Sequence, residues 1–196
     1  MTGNIFYFAR RGTKAEAAVS AAETTIVQTP EARLVERASG GEREAFDEIY
    51  RQFAPMVHGI VLARAPRDEA DDLVQNVFLT AYKNLSALRD PNAVGAWLAM
   101  IARNHAAEFY RRAKPTEELP ENLSSKDNPQ TEAREILTAI RALPDAYRET
   151  LILRLVEGMT GPEIAARTGL THESVRVNLH RGMKLLRRNL GVGEKQ

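Results

Sequence analysis

Met159-Thr160-Gly161-Pro162-Glu163-Ile164-Ala165-Ala166-Arg167-Thr168-Gly169-Leu170-Thr171, running straight into His172 to Leu190, decides the architecture of this chain. Thr160 followed three residues later by Glu163 has the spacing of a capping box, and Pro162 falls in the first turn, where a missing N–H costs nothing. Gly169 supplies the left-handed residue that closes a short helix. Thr171 then serves as N-cap of a longer one. Two helices joined by a three- or four-residue turn containing Gly form a helix–turn–helix, the supersecondary unit that places its second helix in the major groove of DNA.

The second helix of this unit divides into two faces. Val175, Leu179, Gly182, Leu186 and Leu190 form one stripe at the helical period. Glu173, Arg176, Val177, His180, Arg181, Lys184, Arg187 and Arg188 point away from it. Between 173 and 190 five Arg/Lys stand against one Glu, a local charge of +4. Such a face can read base edges with its first turns and touch phosphates with its later cations. The alternative is a solvated basic face on an ordinary core helix.

Composition sets the bounds. A chain of 196 residues with 43% hydrophobic content can bury one moderate core or two small ones. The net charge of +1 hides local asymmetry, with +3 over 103–114 and −4 over 115–135. Zero cysteines exclude disulfides, zinc ribbons and thiol catalysis. No apolar run approaches the roughly 20 residues that span a bilayer. Ile5-Phe6-Tyr7-Phe8 precedes Arg10-Arg11, which is the wrong order for a signal peptide. Residues 1–30 read as a weakly ordered extension.

Upstream of the reader, everything from Glu31 to about Lys114 has helical periodicity. Glu42 to Ala65 carries Phe46, Ile49, Tyr50, Phe53, Met56, Val57, Ile60 and Val61 on a broad apolar stripe, with Pro55 implying a kink or break. Asp68 to Leu85 carries Leu73, Val74, Val77, Phe78, Ala81, Tyr82 and Leu85. Val94 to Arg112 carries Trp97, Leu98, Ile101, Ala102, His105 and Phe109. No stretch alternates with period two. The fold is expected to be all-α. Residues 114–130, with three prolines and two serines, have linker composition. A second helical block then begins near Thr131, with Ile136, Leu137, Ile140 and Leu143 in its first helix. Its second, Asp145 to Glu157, carries Tyr147, Leu151, Ile152 and Leu155 and ends at Gly158. The expected organisation is an extension (1–30), a helical domain (31–113), a flexible linker (114–130), a helix–turn–helix domain (131–190) and a tail (191–196).

Two constellations in the first block carry chemistry. Asp68-Glu69-Ala70-Asp71-Asp72 places four carboxylates where a helix starts, which the helix dipole alone accounts for. A metal or acid–base site with His58 is one further reading. The other is a docking surface, since Asp71, Asp72, Gln75 and Asn76 lie outside a helix whose other face is core. Along the next helix Trp97, Arg103, Asn104, Tyr110, Arg111 and Arg112 mix aromatic, amide and cationic groups, as single-stranded nucleic acid requires. The alternative leaves Trp97 and Phe109 in the core and the arginines solvated.

These residues resemble a known family. Asp71-Asp72-Leu73-Val74-Gln75-x-Val77-Phe78 is similar to the polymerase-docking segment of bacterial sigma factors, and Ala96-Trp97-Leu98-x-x-Ile101-Ala102-Arg103-Asn104 to their promoter-melting segment. Leu143-Pro144 with Arg148, and Met159 through Arg181, resemble their upstream-element reader. With only these two domains, over roughly 31 to 190, the chain looks like the compact extracytoplasmic-function type. The resemblance implies a cytoplasmic, non-catalytic specificity subunit of core RNA polymerase, with no catalytic residue, cofactor or metal. It would dock through Asp71, Asp72, Gln75 and Asn76. It would capture an unstacked base with the loop Leu88 to Val94, including Asp90 and Asn92, and handle the melted strand with Trp97, Arg103, Asn104, Arg111 and Arg112. The linker would thread towards the polymerase active-site channel. Upstream promoter DNA would meet Thr171, Glu173, Ser174, Arg176, Val177, His180, Arg181 and Lys184. An anti-sigma factor would cover the docking face or wedge between the domains. Asn76 stands where an acid is usual, Glu108 replaces a common Asp, and Arg89-Asp90-Pro91-Asn92 lacks the usual Phe. Glu173, Val177 and Asn178 also depart from the common reader, which bears on the promoter rather than the class. The rival readings are a stand-alone helix–turn–helix regulator and a sigma-like interaction or decoy protein.

Overall fold

The computed structural model describes residues 29–112 and 129–191, and within them every regular element is helical. The first block holds α1 (Pro30–Ser39), α2 (Arg43–Leu62), α3 (Arg67–Asn84) and α4 (Val94–Arg112), with two short 3-10 turns, Leu85–Ala87 and Pro91–Ala93, between α3 and α4. The second holds α5 (Pro129–Arg141), α6 (Asp145–Leu155), α7 (Gly161–Thr168) and α8 (His172–Asn189). The extension and linker expected from the sequence lie outside the described residues, except at their inner ends. Pro30 opens α1 and Pro129 opens α5, the position where proline suits a helix.

Local signals fix the helix ends. Thr29 caps α1, its hydroxyl accepting from the Ala32 amide. Thr160 and Glu163 form the full capping box of α7, and the backbone N–H of Thr160 holds the Glu163 carboxyl below its ordinary value. Gly169 closes α7 at φ 75°, and Thr171 caps α8 by accepting from the Ser174 amide. Of the kink or break expected at Pro55, the break does not occur: α2 runs through it. Phe53, Met56, Val57 and Ile60 are buried on its core face, and their packing outweighs the one lost backbone hydrogen bond.

The stripes read from the sequence form the core of each block, with four exceptions. Tyr50 and Tyr82 are exposed on the surface and meet Phe78 and Phe46 through ring contacts instead. Leu155 is exposed at the end of α6, and Leu190 lies beyond α8 and is exposed. In place of Leu155, Leu153 is fully buried. The reason is the position of α6, which packs on α8 within its own block and on α2 of the first. Glu149, Thr150, Leu151, Ile152 and Leu153 are consecutive and all buried, so α6 has no solvent face along that turn and a half. A single buried cluster therefore runs through both blocks.

Close approach of α8 to α6 depends on Gly182. A Cβ there would stand 3.0 Å from Leu151 Cδ1 and 3.1 Å from Tyr147 Cβ. Gly182→Leu is expected to separate these helices and cost about 1–3 kcal/mol by overpacking. Urea denaturation of the two proteins measures it, and equal midpoints would show that α8 is not seated on α6 as described.

Candidate functional site

The outer face of α3 is as the sequence reading places it. Asp71, Asp72, Gln75 and Asn76 are all exposed, while Leu73, Val74, Val77 and Phe78 are buried beneath them. One residue on this line was not anticipated. Leu79 continues the row one turn beyond Asp72 and Gln75, and is 55% exposed. An apolar side chain among acids and amides gives the face an anchor as well as charge.

The loop before α4 uses its polar side chains internally. Asp90 caps the second 3-10 turn by accepting from the Asn92 amide at 3.0 Å. Asn92 Oδ1 accepts from the Thr29 amide at 3.1 Å, tying the start of α1 to this loop. Trp97 is half-buried and packs against the core. Asn104, Tyr110, Arg111 and Arg112 are exposed, with Arg112 paired to Glu108 one turn back. His105 is held by Thr80 at 2.9 Å.

Arg103 is placed differently from its neighbours. It forks onto Glu149 of α6, Nη2 donating to Oε1 at 2.7 Å and Nε to Oε2 at 3.1 Å. Arg64, just after α2, approaches the same carboxylate with Nη1 2.7 Å from Oε2. Burial is the largest single influence on Glu149 and opposes its ionisation. The hydrogen bond and charge of Arg103, joined by Arg64, outweigh it and leave the carboxyl below its ordinary value. No sequence signal pairs these groups, since 46 residues separate Arg103 from Glu149.

The surrounding seam between the blocks is also polar. Arg141 donates to the carbonyls of Leu62 and Ala65, and Arg148 to that of Ala63. These guanidinium groups satisfy carbonyls that the end of α2 leaves without helical partners. Arg167 of α7 donates to the Gln52 carbonyl and lies over the Phe53 ring. His58 Nδ1 meets Glu157 Oε1 at 2.7 Å. Among the described residues no group of three or more His, Cys, Asp or Glu is arranged to hold a metal, and no helix is long and apolar enough to cross a membrane.

On α8, Glu173, Ser174, Arg176, His180, Arg181 and Lys184 are exposed, together with the cap Thr171, and Val177 is half-buried. Arg176 lies 3.7 Å from Glu173, an open pair on the surface. The opposite face, with Val175, Gly182 and Leu186, is buried. The helix thus presents a cationic face over its whole length on a capped helix–turn–helix.

Comparison with known proteins matches these parts one by one. Residues 49–116 match the family described as Sigma-70 region 2, and residues 133–186 match Sigma-70, region 4. The sigma factor SigD of Mycobacterium tuberculosis, of extracytoplasmic-function type, is 34% identical over 171 residues, covering 79% of this chain and 81% of its own. CarQ of Myxococcus xanthus, an RNA polymerase sigma factor, is 30% identical over 167 residues, covering 80% of this chain and 95% of its own. The chain belongs to the extracytoplasmic-function (ECF) sigma factors of RNA polymerase. As a sigma factor it is a DNA-binding initiation factor and not an enzyme. The fold agrees with CnrH, solved in complex with the cytosolic domain of CnrY, at a TM-score of 0.60 and 23% identity over 84% of this chain and 99% of that one. It agrees also with RpoE of Bartonella quintana, solved with the anti-sigma factor NepR, at a TM-score of 0.54 and 19% identity over 76% and 98%.

The seam of this ECF sigma factor carries a histidine whose titration its partners shift. The hydrogen bond to Glu157 raises the His58 pKa above its ordinary 6.5; burial opposes this, Asp71 adds to it and Arg67 subtracts. A raised folded-state value means that the pair's contribution is complete below about 6.5 and is lost as pH rises through the raised pKa. NMR titration of the His58 ring is expected to give a midpoint above 6.5 that moves back towards it in Glu157→Gln. An unchanged midpoint in the variant would remove Glu157 as the cause.

Proposed function

We propose that this ECF sigma factor acts in the cytoplasm, docks on core RNA polymerase through the outer face of α3, and selects promoters with two separate DNA-reading surfaces. Two functional units carry the work, 31–113 and 131–190, joined by 114–130. The first recognises and melts the downstream element, with Asp90 and Asn92 shaping the loop before α4. Trp97, Arg103, Asn104, Arg111 and Arg112 meet the unstacked strand. The second reads the duplex upstream element with the first turns of α8. Ser174, Arg176 and Val177 sit nearest the base edges, and His180, Arg181 and Lys184 near phosphates.

The observation that supports this reading most directly is the pairing of two unlike exposed faces on one chain. The face of α3 is acidic and amide-bearing with an apolar anchor, suited to a basic protein surface and not to DNA. The face of α8 is cationic and mounted on a capped helix–turn–helix, suited to a duplex. A regulator acting alone on an operator has no use for the first face. CnrH and RpoE, which share the fold, were solved with the cytosolic domain of CnrY and with the anti-sigma factor NepR. By the same reading an anti-sigma factor governs this chain, covering α3 or entering between the two units.

Transcription by core RNA polymerase with and without the chain, on a genomic fragment library with sequenced transcript starts, tests the proposal. Discrete starts sharing paired upstream and downstream elements are expected, and their absence would overturn it. Asp72→Arg is expected to abolish capture of core polymerase in a pull-down while leaving the thermal melt unchanged; normal capture by the variant would sink the docking assignment. Arg176→Ala is expected to weaken the upstream element by about 1–3 kcal/mol relative to scrambled duplex. A uniform loss on all sequences would make Arg176 a phosphate contact instead.

A further inference from the structure

Arg103 is the one cation of α4 assigned to the melted strand that is turned into the protein, and the group holding it belongs to the other block. Glu149 accepts two hydrogen bonds from Arg103 and is ion-paired with Arg64, and its side chain is only 6% exposed. A forked guanidinium opposite two oxygens suits a phosphodiester as well as a carboxylate. The two arginines come from just after α2 and the middle of α4, so the first block alone builds the cradle. Further along α4, seven and eight residues on, stand exposed Tyr110 and Arg111. At 1.5 Å rise per residue they lie about 10–12 Å from Arg103, close enough for one strand to touch all three.

We propose that Arg64 and Arg103 form a phosphodiester site for single-stranded DNA, which Glu149 fills as an internal stand-in while the two blocks are closed on each other. Arg64 thereby joins the strand-binding residues, although nothing in its sequence context marks it. The proposal rests on the assignment of Arg103 to the melted strand. Glu149 and a phosphate cannot occupy the cradle together, so strand binding requires α6 to leave α2 and α4. The seam can release at its polar contacts, the Arg103–Glu149 fork and the bonds from Arg141 and Arg148 to carbonyls, whose groups water can replace, while Leu153 over Gly59 is the apolar contact that has to part. A buried ion pair adds little net stability compared with apolar packing, and so holds the blocks in register without locking them.

The interface can be opened in two chemically unrelated ways. Glu149→Gln removes the stand-in charge. Gly59→Leu removes no charge: the nearest atoms a Cβ would meet are Leu153 Cδ2 at 2.7 Å and Glu157 Cγ at 2.9 Å, both across the seam. A leucine there wedges α6 away, while an added side chain favours helix in α2 itself. The full chain contains no cysteine, so a pair introduced at exposed sites on α3 and α8 takes two dyes specifically and reports separation of the blocks. Anisotropy of a labelled mixed-sequence 12-nucleotide single strand reports binding.

Both variants are expected to increase the dye separation and to bind the single strand about tenfold tighter than the parent. Adding Arg64→Ala to either is expected to remove most of the gain and to lower the salt slope by about 0.7, as loss of one phosphate contact does on a single strand. Open variants that bind no tighter would overturn the proposal, as would a gain that survives Arg64→Ala. Variants that stay closed with parental affinity would overturn it too, since neither the charge nor the fit at Gly59 would then hold the seam. The underlying assignment fails separately: Arg103→Ala that still opens promoters with core polymerase would remove Arg103 from the melted strand whatever the seam does.

Discussion

The buried carboxylate of Glu149 is the constraint around which the two helical blocks are arranged. An ionised group taken out of water costs several kcal/mol, and here two charge-assisted hydrogen bonds from Arg103 and an ion pair with Arg64 offset it. The partners must therefore stand where they do. A shift of α6 by even one residue would leave a charge in the interior without a donor. Apolar contact of Leu153 over Gly59 tolerates sliding; the forked pair does not. The result is an interface specified by direction and held with modest strength.

The same logic explains why arginines crowd the end of α2. A helix leaves its last carbonyls without partners, and solvent normally supplies them. Here the approaching second block displaces that solvent, and Arg141 and Arg148 bring the replacement donors to Leu62, Ala63 and Ala65. Their long stems also cover apolar surface as they reach across. Met56 and Ile60 in one block and Leu151 and Ile164 in the other belong to one continuous buried cluster. Between them hydrogen-bonded groups, which can be exchanged for water, stand beside apolar contacts such as Leu153 over Gly59.

What could be read from the sequence was whatever local chemistry dictates. The capping box at Thr160 and Glu163, the left-handed Gly169 and the cap at Thr171 involve neighbours within a turn or two, and each stands where its spacing put it. The stripes of α3 and α4 were legible because each helix has one wet face. α6 was not, because its middle turn and a half, 149–153, is buried on all sides and has no period to read: Leu153 turned inward and Leu155 outward, against the reading from spacing. Tyr50 and Tyr82 misled for a related reason. Tyr82 packs edge-on against Phe46 and Tyr50 packs tilted against Phe78 while both stay in solvent, and amphipathic side chains count as apolar in any pattern. The cradle of Arg64, Arg103 and Glu149 has no local signature at all, since its members meet only after the blocks close.

These placements divide the proposed DNA-reading surfaces into one that is ready and one that is not. The cationic face of α8 lies outward, and nothing in the seam obstructs it. The strand face of α4 is open at Asn104, Tyr110 and Arg111 but closed at Arg103. Contact with a duplex therefore needs no rearrangement, whereas a single strand has to displace a carboxylate from its cradle first. Displacement is an exchange of one anion for another on the same donors, so its free energy is a small difference between two similar interactions. A polymerase that holds α3 and α8 at a fixed separation could supply that difference through geometry alone, by keeping α6 away from α2. On this account the closed arrangement ties strand capture to prior assembly, and the residue that enforces the tie, Glu149, touches no DNA.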